Sequence, residues 1–397
     1  MIISLTAWTP EEKALSLEQA RAIERCGIAE VVPGSRDDLW IVRPGSKIGV
    51  VVGDGWEVRV RPRITIPRLA FLLGYARDPR GWRETVATFE REDELFSAIA
   101  SGFSHHLTWA LDRGVLRGYV RFDERRQDIR GRVRFGDHLA RGGGLPLPIE
   151  VSYDDFTTEI LENRMLLTAA LLVLRLPRIP AAARRRLLRA RAVFEGVTPL
   201  TAWRGIEAPP ITRLNERYAP ALALAELILA GSSLGTEYGD KASTSFVFDM
   251  NKVFEEFVST ALAEAMAPYG SDLREQVKDW SLDEDDRLAL KPDLSWWVDG
   301  RCVAILDAKY KAIDEGLMKH PDAYQMLAYC SAYGLPRGYL IYAKDSGAQA
   351  VEHKVRNANV EIIVETLDVG KEPEELLAQV EQLAARLAQS VPLDRAA

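Results

Sequence analysis

The stretch KPDLSWWVDGRCVAILDAKYK, Lys291 to Lys311, constrains this chain more than any other. It reads as two mostly apolar strands around Asp299-Gly300, a strong hairpin signal. Val303, Ala304, Ile305 and Leu306 form an unbroken apolar run, as expected of a strand covered on both faces. Asp293, Asp307 and Lys309 nevertheless fall in or beside these strands. A carboxylate in a core is costly without a partner. Asp307 and Lys309 are two apart, so on a strand they share a face. Two carboxylates and an ammonium converge cheaply only around a cation or as a salt bridge.

The turn decides whether the aspartates can meet. With a two-residue Asp299-Gly300 loop and unbroken pairing, Val298 faces Arg301 and Asp293 faces Leu306. The aspartates then point to opposite sides. With a three-residue loop of Val298, Asp299 and Gly300, Trp297 faces Arg301. Asp293 then lies opposite Ile305 and diagonal to Asp307 on one face. The expected register is this one, or a bulge inside a strand with the same effect. A hard divalent cation such as Mg2+ suits such a site, because it takes one or two carboxylates with waters and substrate phosphate.

A third acid precedes the sheet. DMNKVFEEFVSTALAEAM is helical, with Val253, Phe254, Phe257, Val258, Ala261 and Leu262 on its apolar stripe. Glu255 lies on the side of Val258 and Leu262, whereas Glu256 lies on a more open side. Glu255 is therefore the better candidate for an inward carboxylate, the alternative being an ordinary helix-flank glutamate. After the hairpin, Gln325 and Tyr329 in DAYQMLAYC are four apart and share a helix face. They read as a polar pair backing the site, or as a packed tyrosine beside a surface glutamine.

The 397 residues are too many for one ordinary core. The pattern divides into residues 1–110, β-rich; 111–240, arginine-rich strands followed by helices; and 241–397, which hold the charged hairpin. LRGYVRFDERRQDIRGRVRF reads as a strand pair, Phe156 to about Phe194 as helical, and Gly231 to Ser245 as a linker. Three scattered cysteines suggest a reducing, cytoplasmic setting. No apolar run reaches the roughly 20 residues of a membrane span. From Asn251 onward, 16 basic residues face 26 acidic ones, a net of −10, within a chain of net −7. Such a segment needs metal ions or a partner to approach phosphates. There is no phosphate-binding G-x-x-x-x-G-K-[ST] loop, so nucleotide hydrolysis belongs elsewhere.

Asp293 after Pro292, a hairpin, and then Asp307-Ala308-Lys309 resemble the motif of PD-(D/E)xK nucleases. Gln325 and Tyr329 resemble the added motif of the RecB-like branch. FVFDMNKVFEEFV, KPDL, ILDAKYK and DAYQMLAYC together resemble the McrC family, nuclease subunits of the modified-cytosine restriction system McrBC. RVRPRITIPRLAFLLGYA, DIRGRVRF and DDFTTEILENRMLL extend the likeness over most of the chain. The resemblance implies an α+β, multidomain fold: a β-rich N-terminal partner-docking domain, a helical middle, and a C-terminal nuclease domain with a mixed sheet flanked by helices. It implies a Mg2+-dependent endonuclease acting on double-stranded DNA with modified cytosine, beside a hexameric McrB-like AAA+ GTPase that it stimulates. Asp293, Asp307, Glu255 and the Ala308 carbonyl would then be metal ligands, Lys309 catalytic, and Gln325 and Tyr329 supporting. Arginines within 117–141 are candidates for stimulating the partner, by charge alone. The competing readings are an adaptor with a vestigial nuclease fold and a stand-alone RecB-like nuclease.

Overall fold

The computed structural model describes residues 2–53, 55–77, 79, 95–142, 147–176, 178–203, 206, 209–234, 244–270, 272–277, 280–310, 320–344 and 351–390. The chain is a mixed α+β protein. Its contacts group it into two compact units, 1–95 with 231–397, and 96–230. The grouping therefore departs from the three consecutive segments read from the sequence. Most of the Gly231 to Ser245 linker lies outside the described residues.

Strand pairing explains why the first unit closes over distant segments. Lys47–Gly53 and Trp56–Arg61 pair antiparallel, and Ile2–Thr6 adds in parallel on the Trp56–Arg61 edge. On the other edge Thr244–Asp249 pairs antiparallel with Lys47–Gly53. Gly49 makes this approach possible. Its φ is +147°, and a Cβ there would stand 2.1 Å from the Phe246 carbonyl oxygen. Gly49→Ala is expected to cost about 3 kcal/mol, because the strained backbone and the clash fall on buried pairing. Denaturant unfolding checks this.

Thr244–Asp249 runs straight into the helix Met250–Met266. Asp249 caps that helix, its side chain accepting from the Asn251 N–H at 3.0 Å and from the Ser46 hydroxyl at 2.9 Å. One face of the helix meets Ile66–Arg77, where the Phe71 and Tyr75 rings pack on Phe257 with centroids 5.6 Å apart. The Tyr75 hydroxyl donates to Glu264 at 2.6 Å. The same helix also packs on Arg301–Lys309 and on the C-terminal helix Pro373–Ser390.

The six-stranded sheet has the order Asp272–Glu275, Leu294–Val298, Arg301–Lys309, Arg337–Lys344, Glu361–Asp368, Val351–Lys354. Arg301–Lys309, Arg337–Lys344 and Glu361–Asp368 run parallel, and the outer pairs run antiparallel. Parallel strands carry covered faces. Accordingly Ala304, Ile305 and Leu306 are fully buried, and Ile305 and Leu340 pack with Met326, Tyr329 and Cys330 of the helix His320–Tyr333.

In the second unit the sequence reading needs correction. Gly118–Arg126 and Arg132–Val133 do not pair with each other. Both flank a third strand, Ile149–Thr157. That strand, IEVSYDDFT, buries polar Glu150 and Ser152 beside Val151, so its burial does not follow the apolar alternation of its sequence. The helical region expected from Phe156 is two helices, Leu161–Leu174 and Ala181–Val193. Among the described residues no helix is long and apolar enough to cross a membrane.

Candidate active site

The hairpin turns through two residues, not three. Val298 pairs with Arg301, and both Asp299 (φ 48°) and Gly300 (φ 76°) are left-handed. That is the type I′ turn an Asp-Gly pair prefers. By itself this turn would send the aspartates to opposite faces. A bulge reverses the outcome: Trp297 pairs with Cys302, but Trp296 pairs with Ala304, leaving Val303 as an extra residue. Beyond it Leu294 faces Leu306. One step further, Asp293 stands directly opposite Asp307. The expected three-residue loop is therefore wrong, while the alternative, a bulge inside a strand, gives the shared face. The bulge cannot be read from composition, because Val303 suits a regular strand as well as a bulged one.

Asp307 is 1% exposed. The Lys309 ammonium pairs with its Oδ2. Apart from this ion pair neither Asp307 oxygen has a hydrogen-bond partner, and the Asp293 carboxyl is among the groups that act on it. Asp293 Oδ2 accepts the Ala308 N–H at 2.9 Å. Burial, and then the neighbouring Asp307 and Glu255 charges, push the Asp293 carboxyl up to about 8. Burial pushes Asp307 up too, against the pull of Lys309. Two desolvated carboxylates so close can face each other only through a shared proton or a cation.

Glu255 sits at the rim. Its carboxylate accepts from the Gln276 side chain at 2.7 Å, while the Gln276 N–H donates to the Asp293 carbonyl at 3.0 Å. Gln276 thus ties the helix acid to the hairpin, a role no sequence signal marked. Glu256 instead pairs with Lys252. Among the described residues no three His, Cys, Asp or Glu side chains gather as a metal cluster. The near set is Asp293 and Asp307, with Glu255 adding field from outside. The chemistry of that set, hard oxygens with an unsatisfied buried carboxylate atom, fits Mg2+ with water and substrate filling the remaining positions.

Gln325 and Tyr329 come together as the spacing implied. The Gln325 amide donates to the Tyr329 hydroxyl at 2.8 Å, and that hydroxyl donates to the Lys291 carbonyl at 2.9 Å. Tyr329 therefore pins the segment leading into Asp293, and burial pushes its hydroxyl up to about 12. Tyr329→Phe is expected to lower stability by about 1 kcal/mol, read by urea unfolding. Sequence reasoning missed Asp322. It is 3% exposed, accepts from the Tyr342 hydroxyl at 2.7 Å, and its charge acts on both Asp307 and Lys309. Tyr342 pairs with Lys309 in the parallel ladder. The available signal was spacing, since Asp322, Gln325 and Tyr329 fall on one helical stripe. Five of the arginines of 117–141 are tied down, while Arg117 and Arg132 are exposed. Arg121, Arg125, Arg126, Arg130 and Arg134 each pair with an acid of the same unit.

Comparison with solved structures places this architecture. A chain from the half-complex of the tetradecameric assembly of Thermococcus gammatolerans McrB AAA+ hexamers with bound McrC superposes with a TM-score of 0.58. The identity is 18%, over 96% of this chain and 100% of that one. A cryo-EM structure of the T. gammatolerans McrBC complex gives a TM-score of 0.40 at 19% identity, over 69% of this chain and 90% of that one. No curated protein matches in sequence. The family described as McrBC 5-methylcytosine restriction system component matches residues 42–343. That span takes in the bulged hairpin and both helices that carry Glu255, Gln325 and Tyr329, and the chain belongs to this family.

Proposed function

We propose that this chain is the DNA endonuclease subunit of a modification-dependent restriction system and works with a ring-forming AAA+ GTPase. The carrying observation is the pair of carboxylates, half-buried Asp293 and buried Asp307, brought face to face by the Val303 bulge with Lys309 on Asp307. This is the geometry a PD-(D/E)xK site requires. Asp293 and Asp307, with the Ala308 carbonyl as a further oxygen, would hold Mg2+, which when bound would supply Lewis-acid activation of water and offset charge on the scissile phosphate. Glu255 strengthens the cation field from the rim.

The chain's own groups do the rest. Lys309 shares the face of Asp307, where an ammonium orients the attacking water and offsets charge developing on the phosphoryl oxygens. Burial works against the Lys309 charge, and Asp307 first, then Asp293 and buried Asp322, outweigh it and hold the ammonium protonated. Tyr329 and Gln325 hold the approach to Asp293 rigid, so the carboxylate does not drift from its partner.

The division of labour follows the family. This chain lacks a phosphate loop, and the solved assembly that shares its fold carries McrC on McrB AAA+ hexamers. In this reading the β-rich N-terminal segment docks on such a hexamer, the partner selects double-stranded DNA with modified cytosine, and the pair act in the cytoplasm. The test is Asp307→Ala, read at once in DNA cleavage and in GTP hydrolysis by the partner.

A further inference from the structure

From Asn163 to Phe194 the chain has eight arginines and no aspartate or glutamate. Five of them, Arg184, Arg185, Arg186, Arg189 and Arg191, lie on the helix Ala181–Val193, and all five are exposed. Exposed Arg175 and Arg178 sit in the turn before it. The helix is anchored through Ala183, Leu187 and Ala190, so the arginines occupy its solvent arc. Arg184 reaches the Leu174 carbonyl at 3.5 Å. None of the seven makes an ion pair among the described residues, whereas Arg121, Arg125 and Arg126 on the sheet of the same unit do.

This face is poorly arranged for stability alone. Arg185 and Arg189 are four apart and Arg186 and Arg189 three apart, so like charges meet. Arg184 to Arg186 lie near the positive end of the helix dipole, and no acid occupies the first turn. The chain as a whole is net −7, so the cluster does not mirror its composition.

We propose that this arginine face binds the phosphate backbone of duplex DNA without reading its sequence. Guanidinium forks match phosphate oxygens. Arg184 to Arg191 rise about 10 Å along the helix, roughly three phosphate steps of one strand. The other exposed side chains of the helix are Ala181, Ala182, Leu188, Ala192 and Val193, with no amide or carboxylate to discriminate bases. The need for such a surface is electrostatic. The segment holding the candidate site carries net −10 and repels phosphate, and a cationic face in the same chain offsets that repulsion.

The test uses the full chain, a short unmodified duplex and excess EDTA, so binding is read without cleavage. Fluorescence anisotropy is followed as salt is raised from about 50 to about 200 mM. Replacing Arg185, Arg186 and Arg189 together by Gln should weaken binding at least about tenfold and flatten the slope of log K against log salt by roughly 2 to 3, since each lost phosphate contact removes about 0.9. Replacing the same three by Lys should restore most of the slope, which separates lost charge from a damaged fold. Unchanged affinity and slope in the Gln variant would overturn the proposal. They would reassign the face to another polyanion, such as an acidic protein surface. Because no metal is present, this outcome does not depend on whether Asp307 is catalytic.

Discussion

Asp307→Ala should reduce Mg2+-dependent DNA cleavage by about a thousandfold or more, the loss expected when a site loses its main cation ligand. The same variant should still bind the AAA+ partner and still stimulate its GTP hydrolysis. Asp307 is buried in the six-stranded sheet and bonded only within the hairpin region, so its loss is local. Stability has to be followed in parallel. Removing Asp307 leaves the Lys309 ammonium, 17% exposed, without its nearest counter-charge. Asp307→Asn, which preserves volume, is the companion variant. If either folded variant cleaved DNA at the parental rate, the assignment of the site would fail. If cleavage and GTPase stimulation vanished together in a folded protein, the separation of roles between chain and partner would fail instead.

The second large effect is on stability and has the opposite sign to most active-site substitutions. In the folded protein without metal, Asp293 is pushed up to about 8 from an ordinary 3.8. The native state then holds a proton that the unfolded chain releases near pH 4. Its contribution is fully present below pH 4 and is lost as pH rises toward 8, with a slope of at most about 1.4 kcal/mol per pH unit. Asp307, shifted in the same direction, adds to the trend. Metal-free protein should therefore melt several degrees lower at pH 8 than at pH 6, and excess Mg2+ should flatten the dependence by replacing the proton. Asp293→Asn keeps an acceptor for the Ala308 N–H and removes the buried charge. At pH 8 without metal it should be more stable than the parent by about 1–3 kcal/mol while failing to cleave DNA, a trade of function for stability. A melting temperature of the metal-free parent that rises between pH 6 and 8 would contradict this account.

Much of the site was legible locally. Asp307 and Lys309 share a face because a strand repeats every two residues, and Gln325 and Tyr329 meet because a helix repeats every 3.6. Glu255 and Glu256 are both half-buried, and it is the Glu255 charge that acts on Asp293. Asp322 was overlooked because a carboxylate in the first turn of a helix ordinarily serves the helix dipole. Here it is buried against Tyr342.

What the sequence determined by itself was therefore chemistry and periodicity: which residues are charged, which segments are strands or helices, and which neighbours share a face. Tertiary structure alone decided the long-range matches. The Val303 bulge sets whether Asp293 and Asp307 meet, and one residue of slip inverts every side chain beyond it. Gly49 lets Thr244–Asp249 join a sheet built some two hundred residues earlier, which launches the helix of Glu255 toward the hairpin. Both choices depend on packing between segments far apart in the chain. No local pattern encodes that packing, because a valine in a bulge and a glycine in a strand look the same as valines and glycines elsewhere.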